Sequence, residues 1–151
     1  MINCLVVALM LCAASPELTF IKYFNENRTE TGLVLDRNSN KTICSVACSG
    51  FDMDVQAISN PQTAIPKIRQ TLKTIRTTNP KSNRGWLFHF IDPQGKPIPG
   101  TEVSTIDTAI FYAGALQASK RLKNKDLTEE VNQDIHKIDI KWMIENSPSR
   151  E

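Results

Sequence analysis

The chain has 151 residues and a formal charge of +2, from 18 Lys and Arg against 16 Asp and Glu. That length allows one domain with its own core. The near balance of charge argues against nucleic acid or an anionic membrane as a partner of the whole molecule, since such binding needs a clear excess of one sign. The positive charge is uneven, with seven basic residues and one acid, Asp92, between Pro61 and Gly100.

The chain opens with an apolar run of eleven residues, Cys4 to Ala14. A membrane-spanning helix needs roughly 20, so no stable span is expected. The length suits the apolar core of a signal peptide over residues 1–14, with small residues at Cys12-Ala13-Ala14 before a cut. No Lys or Arg precedes the run. The alternative is the second half of a buried helix that starts upstream.

Pro16 to Asn25 reads as a first helix, with Leu18, Ile21 and Phe24 every third residue. Asn25 to Lys41 is polar, contains Gly32 and reads as a long loop. Thr42 to Ile58 suits a tightly packed helix with Gly50 as a kink point. Cys44 and Cys48 would share one face of it. That spacing suits half a metal site, but no second Cys/His pair follows, so buried packing is expected and no metal or other cofactor.

Asn60-Pro61 caps and opens an amphipathic helix to about Thr77, with Ile65, Ile68, Leu72 and Ile75 as its apolar stripe. Lys67, Arg69, Lys73 and Arg76 lie off that stripe as a solvated face. Four prolines and three glycines between Asn79 and Gly100 rule out a long helix. Trp86 to Ile91 within it reads as one short strand or hairpin arm, which would point His89 away from Phe88 and Phe90. Ser104-Thr105-Ile106-Asp107 fits a capping box opening a helix to about Leu122. That helix is apolar or small at every position from Ala109 to Leu116 and so calls for burial on all sides. A last helix is expected from about Thr128 to Met143, followed by a tail at residues 146–151.

Asn83-Arg84-Gly85-Trp86-Leu87-Phe88-His89-Phe90-Ile91-Asp92 is followed by Glu102-Val103-Ser104-Thr105-Ile106-Asp107-Thr108-Ala109 and then by Ala113-Gly114-Ala115-Leu116. This series resembles the bacterial glucoamylase-like glycoside hydrolase family that includes endo-β-1,2-glucanases. Thr31 to Arg37, Ser45 to Phe51 and Ile138 to Met143 are similar to other segments of that family. The resemblance runs from about Phe20 to Met143 and covers the N-terminal half of the family's domain. It implies an all-α chain, an incomplete half of an (α/α)6 barrel within residues 15–145, with one short strand or hairpin. It also implies action on a glucose polysaccharide such as β-1,2-glucan, by a chain too short to be a complete enzyme; the apolar run at the start adds the expectation of an exported protein, periplasmic or secreted. The alternative is a non-catalytic fragment or gene remnant that binds carbohydrate, self-associates or pairs with a complementary half.

Glycoside hydrolysis needs two carboxyl groups across the sugar ring. Glu102 and Asp107 are the catalytic candidates, at the mouth and in the first turn of the Ser104 helix. Their plain alternatives are a solvated loop acid and a cap. Asp36 and Arg37 are expected to hydrogen-bond sugar hydroxyls or to tie down their own loop. Arg84, Trp86 and His89 complete the substrate-binding candidates, Trp86 by stacking its apolar face on a sugar ring or else as a core residue, His89 as a substrate contact or else as a structural residue.

Overall fold

The computed structural model describes residues 16–78, 80–82 and 84–145. The proposed leader and the tail lie outside them. Six helices and one three-stranded sheet appear among the described residues, so the chain is mostly helical. In chain order the elements are α1 (Pro16–Asn27), β1 (Val34–Arg37), β2 (Asn40–Ser45), α2 (Val46–Ser59), α3 (Pro61–Thr78), β3 (Phe90–Ile91), α4 (Thr105–Arg121), α5 (Lys125–Ile135) and α6 (Ile140–Glu145).

The stretch expected as a loop after α1 is instead a hairpin. β1 and β2 pair antiparallel, with Val34 opposite Ser45 and Leu35 opposite Cys44, and β2 then pairs with β3. The buried Leu33-Val34-Leu35 run drives this, because these side chains leave water only if the strand is held over the helices. The hairpin also takes the first residues of the helix expected from Thr42. Ser45 ends the strand and caps α2, its hydroxyl accepting from the Cys48 N–H at 3.2 Å. Cys44 therefore sits on a strand and Cys48 on a helix, not on one helical face. Burial pushes the Cys44 thiol up to about 12 and raises that of Cys48 too, so both are poor thiolates.

Gly50 serves close packing. A Cβ there would lie 2.4 Å from the Phe111 Cα, and one on Gly114 would lie 2.0 Å from the Gly50 carbonyl oxygen. α2 and α4 thus touch backbone to backbone, and α4 carries Phe111, Tyr112, Ala115 and Ala118 into the core. α4 is nevertheless not enclosed on all sides as its composition suggests. Ala109 and Ala113 are exposed, and Ile106 is 71% exposed.

α3 buries Ile68, Leu72 and Ile75 as its spacing predicts, with Ile65 half-buried. Its basic face is only partly solvated. Arg69 and Arg76 reach Glu130 and Asp134 on α5 at 2.7–3.3 Å, while Lys73 stays exposed. The helix expected over Thr128–Met143 starts earlier, capped by Asn124, and breaks at residues 136–139. The Gly85 turn imposes that break. Asp139 N–H donates to the Arg84 carbonyl at 2.9 Å, and a Cβ on Gly85 would lie 2.5 Å from the Lys137 carbonyl oxygen. The Asp139 carboxylate then accepts from Trp142 N–H and opens α6.

Candidate functional site

Two short extended segments set the geometry. His89 N–H donates to the Glu102 carbonyl at 2.9 Å, Ser104 N–H donates to the Leu87 carbonyl at 3.0 Å, and Phe88 bridges Val103. His89 is thereby held opposite Glu102, while its own carbonyl accepts from Val46 N–H at the start of α2. The side chains meet as well. His89 Nδ1 lies 2.6 Å from a Glu102 Oε, and His89 Nε2 lies 3.8 Å from an Asp107 Oδ. One imidazole spans two carboxylates.

Each member is held for a separate reason. Ser104 caps α4, its hydroxyl accepting from Asp107 N–H at 3.1 Å and donating back to the Asp107 carboxylate in a short hydrogen bond. Asp107 therefore caps α4, the plainer of its two readings, and also neighbours His89. Ser104→Ala should cost about 1–2 kcal/mol of stability, the upper part of the range for a lost N-cap, because Asp107 loses a partner too. Urea unfolding reads this directly, and a loss of only a few tenths would show that the cap is not what holds Asp107.

The His89 ring does not point away from both phenylalanines. It stacks on Phe90 at 3.6 Å between centroids and 20° between planes. Only Phe90 and Ile91 of this stretch form a regular strand, so side-chain alternation does not extend back to His89. The hydrogen bond from His89 holds the exposed Glu102 carboxyl below the usual carboxylate range. Because the folded value is depressed, the pairing persists above the ordinary carboxylate range and is lost only as pH falls through the depressed value.

Asp36 approaches from the hairpin. Its carbonyl accepts from the Tyr23 hydroxyl at 3.1 Å, and its carboxylate holds the exposed Arg37 at 2.9 Å. The adjacent pair thus ties itself together, as one of its two readings has it. Burial is the main cause of the raised Cys48 thiol, and the charges of Asp36 and Asp107 both raise it further. Phe90, stacked on the His89 ring, is a neighbour of the site that sequence reasoning passed over.

Arg84 and Trp86 are engaged elsewhere. Arg84 pairs with Asp139 at 3.1 Å and lies over the Trp142 ring, and the buried Trp86 donates its indole N–H to the Asp139 carbonyl at 3.1 Å. Both hold the turn between α5 and α6. Among the described residues no group of three or more His, Cys, Asp or Glu could hold a metal ion, and no helix is long and apolar enough to cross a membrane. No protein-family model matches this chain, and no curated protein or solved structure matches it either.

Proposed function

We propose that this chain carries the carbohydrate site of a glycoside hydrolase-like domain of (α/α)6-barrel type, acting on a glucose polysaccharide such as β-1,2-glucan. The observation that carries the reading is the His89 bridge between Glu102 and Asp107. It sets two carboxylates against the two nitrogens of one ring, and glycoside hydrolysis calls for a pair of carboxyl groups at one site. Asp107 orients the imidazole, and the imidazole keeps Glu102 ionised. Glu102 is thereby suited to accept a proton from water or a sugar hydroxyl, the role of a base. Phe90 backs the ring, and Asp36 with Arg37 offers further hydroxyl contacts at the rim. An exported protein fits such a substrate, in keeping with the apolar run at Cys4 to Ala14.

A second reading, sugar binding without turnover, is favoured by the depressed Glu102 carboxyl. A general acid has to hold a proton at the working pH, and Glu102 does not.

The test is calorimetric titration with β-1,2-gluco-oligosaccharides beside a reducing-sugar assay on the polymer. Glu102→Gln and His89→Ala should each weaken binding about tenfold or more, the size of one lost charge-assisted hydrogen bond. Lys73→Ala on the distant α3 should leave it unchanged. Turnover that disappears in Glu102→Gln supports the hydrolase, and binding without turnover supports the second reading. Absence of binding by the unsubstituted chain rejects both.

A further inference from the structure

The turn between α4 and α5 holds a basic pocket, at the opposite end of α4 from His89 and about 20 Å along the helix from Asp107. The way α4 ends builds it. Lys123 N–H donates to the Lys120 carbonyl and Asn124 N–H to the Ser119 carbonyl, both at 3.0 Å, the pair of bonds that closes a helix through a left-handed residue. That residue is Lys123, with φ 53°. Asn124 then caps α5, so Lys120, Lys123 and Lys125 come round one depression of about 320 Å³, with the Ser119–Thr128 hydroxyl pair in its lining. Two of the three lysines stand where local physics disfavours them. Glycine is usual at the left-handed closing position, because a Cβ crowds the backbone there. Lys125 is the first residue of α5, where the helix dipole is positive and repels a cation. Asp126 beside it suits that helix end but is not in the pocket lining. All three lysines are exposed. Among the described residues none of them has a carboxylate within ion-pair distance, whereas Lys22, Lys137 and Lys141 each do.

We propose that this pocket binds the phosphate group of a small phosphate monoester. Glu129 is the one acid among the described residues that line it, so three ammoniums against one carboxylate leave two positive charges. A phosphate monoester at neutral pH carries about −1.5 to −2 and matches them. The volume lies at the lower end of the roughly 300–1,000 Å³ of small-molecule pockets, which suits a small ligand rather than a polymer. Lysine serves here as a point charge on a flexible stem, able to close on phosphate oxygens from three sides. A bound dianion also answers both local misfits, the lysine at the left-handed turn and the lysine at the positive end of α5. The site stands apart from the carbohydrate reading.

An NMR titration of the isotope-labelled full chain with glycerol 3-phosphate, at ionic strength held constant with sodium chloride, reads the site. Amide signals of residues 119–129 should shift, and those around Lys73 on α3 should not. Glycerol alone should shift nothing, inorganic phosphate should compete, and raised salt should weaken binding. Lys120→Gln and Lys125→Gln should each weaken it about fivefold, the upper end for an exposed ion pair. Lys123→Gly should weaken it as much while leaving the chain at least as stable to urea, because it removes the ammonium and suits the left-handed backbone. Lys73→Gln should change neither. Shifts no larger than those from sodium chloride, an equal loss in Lys73→Gln, or a Lys120→Gln variant that loses stability with phosphate binding intact overturns the proposal.

Discussion

Replacing Gly114 with alanine should lower stability by about 3 kcal/mol, near the top of the range for overpacking. The added methyl would lie 2.0 Å from the Gly50 carbonyl oxygen and 2.6 Å from its carbon. Both are backbone atoms of a helix, so no side-chain rotation makes room. α2 and α4 must move apart, which also opens the close approach of Gly50 to Phe111 on α4. Alanine's better helix propensity returns only about 1 kcal/mol. In urea unfolding the midpoint should drop by 1 M or more at an ordinary slope of about 1–3 kcal/mol/M. Lys73→Gly, on the exposed side of α3, is the control and should lose only the propensity difference. A Gly114→Ala variant as stable as the parent chain would show that the two helices do not need their backbone contact.

That contact also bears on what the sequence discloses. Gly50 inside a helical pattern reads as a kink, and Gly114 as one more small residue; only the meeting of two glycines from different helices explains either. The strong local signals come through: Asn60-Pro61 starts α3, and Ser104 with Asp107 starts α4. The hairpin does not, because Asp36 to Lys41 is polar and the strand that completes the sheet lies more than forty residues further on. The break before α6 is equally hidden, since Val131, Ile135, Ile138 and Trp142 keep helical spacing straight through it. It is set by the Gly85 turn, which no local pattern announces. For the candidate site, the residue types of His89, Glu102 and Asp107 were legible as a motif. Their pairing through one imidazole was not, because it depends on the register of residues 87–91 against 101–104. Trp86 and Arg84 belong to the same motif, yet tertiary contacts to Asp139 commit them to the fold.

Breaking the Arg28–Asp52 pair should cost about 3–5 kcal/mol, the range for a buried ion pair that loses one member. No sequence pattern pointed to it, although it joins three helices. Arg28, just past α1, donates to the Asp52 carboxylate on α2 and to the Lys67 carbonyl and Thr71 hydroxyl on α3. Asp52 is fully buried, and Gln56 supports its other oxygen at 2.9 Å while accepting from Lys67 at 2.7 Å. Burial brings the Arg28 guanidinium down to about 10, still charged at neutral pH, so Asp52 is its required counter-charge. Asp52→Leu leaves a cation in the interior and Arg28→Met leaves an anion. The double variant leaves neither, and two apolar side chains of similar size can pack in the space. A double-mutant cycle should therefore show large single losses that do not add, with a coupling of about 2 kcal/mol or more between residues in direct contact. Thermal or urea unfolding of the four proteins supplies the numbers. Additive losses would mean that each side chain is held by its other partners, and that the charge pair itself contributes little to joining α1, α2 and α3.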